Sequence, residues 1–194
     1  PGCLVAGADS CLVAESLTAY DLDHRLMTEE NSNGFIPGEA AAAVLVGPVI
    51  RRSEPQLLCL GIGFGTEPAH LKTGEPLRAQ GLTTAIKAAF ADGRCTETDV
   101  DFRLTDNNGE AYGFKDSALA VARVFREPKE SFEIWHPADC VGEVGAAIVP
   151  IMLGVMLAAV TKGYAPGPGA LCHVSGEEDQ RGAVILRHRN WSTD

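Results

Sequence analysis

A histidine and a cysteine four residues apart, His136 and Cys140, could form a nucleophile pair. Cys140 falls at the predicted start of a long helix over 140–162, and a helix N-terminus stabilises a thiolate. A neighbouring histidine can take up the thiol proton, so the two residues together would suit nucleophilic catalysis. The alternative is that Cys140 is a structural thiol and that His136 is a loop histidine without a catalytic role.

Two glutamates, Glu110 and Glu143, are candidates for acid–base chemistry if folding buries them. Each stands at or near the predicted start of a helix, where a carboxylate also acts as a favourable first-turn charge. A solvated loop position is the other simple interpretation. These two glutamates and the Cys140–His136 pair are therefore the candidate catalytic residues.

We predict neither a metal site nor a bound cofactor. The other histidines, His24, His70, His173 and His188, have no spacing typical of metal ligands. The glycine-rich run 61–65 follows a predicted strand, but no helix starts directly after it. No acidic residue lies at the distance that a dinucleotide-binding motif requires.

Hydrophobic periodicity predicts a chain in which strands and helices alternate. The predicted strands are 2–8, 40–47, 56–64, 99–105, 131–135, 170–175 and 181–188, and the predicted helices are 11–20, 76–92, 114–126 and 140–162. Asp9 and Ser10 are expected to cap the first helix. Because the strands are apolar on both sides, the pattern favours an α/β sheet that is covered on both faces.

The segment 144–160 is apolar throughout and carries no charged residue. It is at the short limit of what can span a bilayer, and Pro150 lies inside it. A helix that is apolar on all sides is buried, either in lipid or in a large protein core. We favour a buried central helix over a membrane helix, because several small residues would let neighbouring elements approach closely.

The overall composition is that of a globular protein, with 194 residues, 45% hydrophobic and 22% charged. The formal net charge of −10 would repel phosphates, so nucleic acid is not expected as a partner. Six scattered cysteines without a CxxC pair predict reduced thiols in a cytoplasmic protein. No signal peptide is present, and the start at Pro1 rather than Met is interpreted as a fragment lacking its true N-terminus.

Four segments follow one another in an informative order. Residues 33–42 read NGFIPGEAAA, residues 108–116 read NGEAYGFKD, and residues 142–147 read GEVGAA. The chain then ends with a Pro-Gly-Pro turn at 166–168 and two predicted strands. This order resembles the DGFVxGEGA, HGTGTPLND and GHTLGAAG motifs of β-ketoacyl-acyl-carrier-protein synthases, and the resemblance covers nearly the whole chain.

The resemblance implies the thiolase-like αβαβα layered sandwich, which is built from two related halves. Residues 1–50 would be the end of the N-terminal half, and residues 51–194 would be the C-terminal half. It also implies acyl thioester condensation in fatty acid or polyketide biosynthesis, with an acyl carrier protein or acyl-CoA as partner and a homodimer as the assembly. The nucleophilic cysteine of the family would lie upstream of these residues.

The family's two catalytic histidines and the lysine that precedes the second have no counterpart here. Asn108 matches the first histidine position, and Gly142 matches the second or lies one residue from it. Asparagine can donate a hydrogen bond to an oxyanion but cannot shuttle a proton at neutral pH. Two hypotheses follow: a β-ketoacyl synthase-like acyltransferase with a rebuilt site, or a non-catalytic relative that acts as an acyl-binding or scaffolding partner.

Overall fold

The computed structural model describes residues 2–51 and 53–190. Pro1, Arg52 and residues 191–194 lie outside the described part. The interpretation of Pro1 and the outer ends of the two predicted halves therefore fall outside it as well.

The described residues form two sheets and five α-helices. Strands β1 (Cys3–Ser10) and β2 (Glu39–Val46) make a two-stranded antiparallel sheet, with α1 (Ala14–Leu22) between them in sequence. The remaining elements are β3 (Gln56–Thr66), α2 (Gln80–Gly93), β4 (Phe102–Thr105), α3 (Ala111–Val124), β5 (Ile134–Trp135), α4 (Ala138–Val141), α5 (Ile148–Lys162), β6 (Gly169–Ser175) and β7 (Gln180–Arg189). Strands β3 to β7 form the second sheet in the order β3-β7-β6-β4-β5.

One face of the five-stranded sheet packs against α2 and α3 through a core of Leu82, Ile86, Ala120, Leu171 and Ile185. Helix α2 lies unusually close to β3. A Cβ atom added at Gly63 would stand 2.2 Å from the carbonyl oxygen of Ala85. Glycine on β3 therefore allows this close contact between helix and strand.

The opposite face packs against α5, where Met152 and Met156 contact Phe102 and Leu104 of β4 in a second core. The two-stranded sheet lies on the other side of α5. A Cβ atom added at Gly7 would stand 2.2 Å from the carbonyl oxygen of Ala146. The successive layers are thus helix, sheet, helix and sheet, which confirms the predicted α/β layered class.

The predicted helix over 140–162 is divided into separate pieces. Helix α4 ends at Val141, Gly142 has a φ of +76°, and a 3₁₀ turn covers Gly145–Ala147 before α5 begins. Pro150 falls in the first turn of α5, where its missing N–H has no partner within the helix to lose. Glycine at 142 and proline at 150 explain why the helix begins later than its apolar pattern predicts.

Helix α5 is buried on one side only. Met152 and Met156 are buried, whereas Val149 is 40% and Leu157 is 39% exposed, so the prediction of a helix buried on all sides is wrong. The segment Gly145–Lys162 is long and apolar enough to cross a membrane, with 28% of it buried. Core helices of soluble proteins meet the same criteria, so length and composition alone do not assign it to a bilayer.

The predicted cap of the first helix is also wrong. Asp9 and Ser10 belong to β1, and α1 begins at Ala14 without a side-chain cap. The Asp9 carboxylate accepts hydrogen bonds from the N–H groups of Ser10 and Ala146 instead. The end of β1 is therefore tied to the 3₁₀ turn that precedes α5.

Candidate functional site

A cavity of about 490 Å³ lies at the ends of β1, β4 and β6. Strands β4 and β6 run parallel, so the residues that follow them, 106–108 and 176–177, meet at the same edge of the sheet. Ligands of open α/β sheets bind beyond the carboxyl ends of strands, and this edge has that position. The remaining wall comes from α1, from the loop after it, from Leu71, from the start of α3 and from the turn that leads into α5, which contributes Glu143, Gly145 and Ile148.

Asn108 and Glu143 contact each other in the cavity wall. Asn108 Nδ2 donates to Glu143 Oε2 at 2.6 Å and to Glu110 Oε2 at 3.3 Å. Its Oδ1 accepts the N–H of Glu110 at 3.2 Å, and Glu143 Oε1 accepts the N–H of Gly145 at 2.9 Å. The polar atoms of the Asn108 side chain thus already have protein partners.

Gly142 positions Glu143 without itself lining the cavity. Its φ of +76° lies in the region that favours glycine, and a Cβ atom there would stand 2.7 Å from the carbonyl oxygen of Ile36. The N–H of Glu143 donates to the same carbonyl at 2.8 Å. Of the positions at or beside the second histidine match, the one that reaches the cavity is Glu143.

Arg25 joins three segments at the rim of the cavity. Its Nε and Nη2 donate to the two carboxylate oxygens of Glu110 at 2.8 Å each, and its Nη1 donates to Glu177 at 2.8 Å. The hydrogen bonds to Glu110 raise the pKa of the Arg25 guanidinium above its ordinary value, against the effect of burial. This ion pair links the loop after α1 to α3 and to the turn between β6 and β7.

Asp106 is a carboxyl group in the cavity wall whose pKa is shifted far from its ordinary value. Burial raises its pKa to about 7, and the nearby Glu143 carboxylate acts in the same direction. A hydrogen bond from the N–H of Ser175 to Asp106 Oδ2, at 2.7 Å, opposes the rise. The group therefore changes its charge near neutral pH, as acid–base catalysts do.

Cys11 is the thiol that the described residues contribute to the cavity wall. Burial raises the pKa of Cys11 and also that of Tyr20, which lines the cavity beside it. A thiol with a raised pKa is protonated at neutral pH and is a poor nucleophile. This cysteine is therefore not prepared for acyl transfer in the way that a catalytic thiol is.

The structure separates the two groups of predicted site residues. Asn108, Glu110 and Glu143 line the cavity together, whereas Cys140 and His136 do not belong to its wall. Cys140 is exposed within the four-residue α4, so it does not stand at the start of the long helix. The Cys140–His136 nucleophile pair stays a prediction.

His136 contacts neighbouring side chains outside the cavity wall. Its Nδ1 lies 2.8 Å from Asp139 Oδ2, although the geometry is not that of a hydrogen bond. The ring of Phe114 meets the imidazole edge-on at 5.3 Å. Within the described ranges, no three His, Cys, Asp or Glu side chains are grouped as metal ligands.

Sequence reasoning missed Arg25, Asp106, Asp9 and Tyr20. The polar run 106–110 after a strand was a signal for Asp106, since functional side chains often follow the ends of parallel strands. Arg25 had no comparable signal, because its partners Glu110 and Glu177 are 85 and 152 residues away in sequence.

Ketosynthases are among the solved structures that have a fold similar to that of this chain. An oxazolomycin ketosynthase domain from Streptomyces albus JA3453 superposes with a TM-score of 0.81 at 14% identity, over 100% of this chain and 43% of its own. The ketosynthase from module 6 of the bacillaene synthase of Bacillus subtilis gives 0.82 at 14% identity, over 97% and 43%. The chain has the ketosynthase fold. It fits the C-terminal portion of that fold, in a divergent form.

A third ketosynthase, from Xenorhabdus doucetiae and in complex with its chain length factor, gives a TM-score of 0.79 at 14% identity, over 96% of this chain and 53% of its own. The chain thus spans about half the length of these ketosynthase chains. No protein-family model matches the chain, and no curated protein matches it in sequence. At such low identity the likeness establishes the fold, while substrates and partners need separate evidence.

Proposed function

We propose that the protein is a ketosynthase-like, acyl-binding partner that does not carry out histidine-dependent condensation. The observation that carries this proposal is the hydrogen bond from Asn108 Nδ2 to Glu143 Oε2. Decarboxylative condensation needs donors aimed at the oxygen of the developing enolate. Here both Asn108 N–H groups are directed at carboxylates, and Glu143 offers acceptors only.

A cavity without this chemistry can still hold an acyl group. Its volume of about 490 Å³ is within the range of small-molecule sites, and Leu71, Ile148 and Val174 contribute apolar surface to it. Retention of the cavity therefore supports the acyl-binding role over a scaffold that merely keeps the fold.

A second candidate function is an acid–base enzyme with a rebuilt site. The observation that favours it is the pKa of about 7 at Asp106, a cavity-lining carboxyl group. Such a group can exchange protons at neutral pH, which Asn108 cannot do. Glu143 and Glu110 would then orient the substrate rather than react with it.

The proposed partner is an acyl carrier protein. One of the structurally similar complexes supports this choice: a type II polyketide synthase ketosynthase with its acyl carrier protein. We also propose a cytoplasmic homodimer, in which residues 1–50 and 51–194 belong to the two halves of a thiolase-like sandwich. The antiparallel β1–β2 pair would belong to the first half.

Intact mass spectrometry and titration calorimetry with hexanoyl-pantetheine would test the proposal on the longest natural polypeptide that contains these residues. We expect saturable binding without a stable mass increase. A mass increase that maps to one cysteine would contradict the non-catalytic role, and an absence of binding would contradict the acyl-binding role.

A matched pair of variants on α1 tests whether the ligand occupies this cavity. Ser16 lines the cavity, whereas Thr18 on the same helix is exposed and outside the wall. Ser16→Trp should fill the cavity and abolish hexanoyl binding, and Thr18→Trp should leave it unchanged. Equal binding by both variants would place the acyl group elsewhere.

A further inference from the structure

The charges around the cavity are strongly unbalanced. One guanidinium, that of Arg25, faces a larger set of carboxylates in the same wall. The five carboxyl groups are those of Asp9, Asp106, Glu110, Glu143 and Glu177, and Asp106, with a pKa of about 7, is only partly ionised at neutral pH. Like charges repel, so a lining with more carboxylates than cations disfavours an anionic ligand, although solvent weakens the effect of the exposed Asp9 and Glu177.

Arg25 does not reverse this preference, because its guanidinium is already engaged. All three of its nitrogen atoms donate to Glu110 or Glu177 at 2.8 Å. Its two remaining N–H groups lie beside these same glutamates, so an entering carboxylate would meet a cation whose charge is already paired. A further cation near this rim, Lys72, lies 3.9 Å from Glu177 and is not part of the cavity wall.

Asn107 gives an independent indication of a ligand group. This cavity-wall residue is 5% exposed, and its Oδ1 accepts a hydrogen bond from Ser117 Oγ at 3.3 Å. Its Nδ2 has no acceptor within the described residues. Buried amide hydrogens are normally paired, and the carbonyl oxygen of an acyl thioester is an acceptor of the required kind.

We propose that the cavity selects acyl thioesters by charge, and this inference rests on the acyl-binding function proposed above. The preferred ligand has a carbonyl acceptor and an acyl chain that ends in an ammonium group. An uncharged chain end is accepted less well, and a chain that ends in a carboxylate, as in a malonyl thioester, is disfavoured.

Titration calorimetry with three pantetheine thioesters of similar size tests this order. The probes are β-alanyl-, butyryl- and malonyl-pantetheine, which end in an ammonium, a methyl and a carboxylate group. At physiological salt we expect β-alanyl to bind at least about tenfold more tightly than malonyl, with butyryl between them. Malonyl binding as tight as β-alanyl binding would overturn the inference while leaving acyl binding intact. Binding of none of the three would overturn the acyl-binding function as well.

Two neighbouring glutamates provide a matched control. Glu177 lines the cavity, whereas Glu178 is exposed outside the wall, and each glutamine variant removes one negative charge from the same turn. Glu177→Gln should reduce the preference for β-alanyl over malonyl by about threefold or more, because it also releases Arg25. Glu178→Gln should change it less than twofold. Equal changes in the two variants would assign the effect to overall charge and overturn the inference.

Discussion

Two arginine–carboxylate networks tie the turn between β6 and β7 to helix α3, and they differ in burial. Arg181 donates to Asp116 at 2.7 Å, and both side chains are fully buried. Arg25 donates to Glu110 and Glu177, whose side chains are 12% and 49% exposed. The first network is enclosed in the core, and the second forms part of the cavity wall.

The difference in surroundings gives Arg181 a structural role and gives Arg25 a role in the candidate site. Arg181 also donates to Tyr112 Oη and to the carbonyl oxygens of Gly176, Glu178 and Gln180. Its donors therefore hold the turn to helix α3. Arg25 instead borders the space that a ligand would occupy, so a change there should alter binding more than folding.

The largest expected effect is a loss of stability in Arg181→Leu. The variant leaves the Asp116 carboxylate buried without its cation, which costs about 3–5 kcal/mol. Urea denaturation measures this loss. The double variant Arg181→Leu/Asp116→Leu should recover part of it, because no charge is then left unpaired. A loss below about 1 kcal/mol in the single variant would contradict the structural role of this network.

The next effect concerns Asp106 in the cavity wall, whose pKa is lowered by Arg181 of the first network and raised by burial and by Glu143. Its pKa is about 7 in the folded protein and 3.8 ordinarily, so the folded state binds the proton more tightly. Its contribution to stability is therefore present below about pH 4 and is lost as the pH rises to 7. A shift of this size costs about 4 kcal/mol at pH 8, and Asp106→Asn should recover about 2 kcal/mol of it, because the amide accepts the Ser175 N–H less strongly than the carboxylate does.

The control for this prediction is Asp21→Asn, which removes a charge from an exposed position on α1. Denaturant unfolding at pH 5 and pH 8 should show a gain that grows with pH for Asp106→Asn and no such gain for the control. An Asp106→Asn variant that is less stable at pH 8 than at pH 5, relative to the native protein, would refute the buried carboxyl interpretation.

The smallest expected change in stability is that of Arg25→Lys, at about 1 kcal/mol. Lysine keeps the charge but cannot donate to both oxygens of Glu110 in the way that a guanidinium does. The free energy of acyl thioester binding should fall by more than the free energy of unfolding, because the loops at the rim of the cavity lose their shared contact with Arg25. A stability loss as large as that of Arg181→Leu would remove the distinction between the two networks.

The class of fold was predictable because periodicity reports burial directly. The strands β1, β2, β3, β6 and β7 were predicted within two residues of their ends, since short apolar runs there are bounded by glycine and polar residues. Helix starts were less predictable. The start of α2 depends on Glu67, whose carboxylate accepts the N–H of Gly81 from 14 residues away.

The candidate site was predictable only in part. Asn108 was recognised through its motif position, and Glu110 and Glu143 as carboxylates near predicted helix starts; all three meet in the cavity. Cys140 and His136 were chosen because a long helix was expected to begin at 140, and the turn at Gly142 removes that premise. Arg25 and Cys11 reach the cavity through contacts between distant segments, which spacing along the chain does not encode.

The rate of malonyl-thioester decarboxylation tests the central claim most directly, because it reports whether positions 108 and 143 stabilise an enolate. It should be measured on the longest natural polypeptide, with an acyl acceptor present, beside the variants Asn108→Ala and Glu143→Gln. We predict no release of carbon dioxide above the uncatalysed rate in any of the three proteins. Turnover by the native protein that falls about tenfold or more in Asn108→Ala would contradict the account.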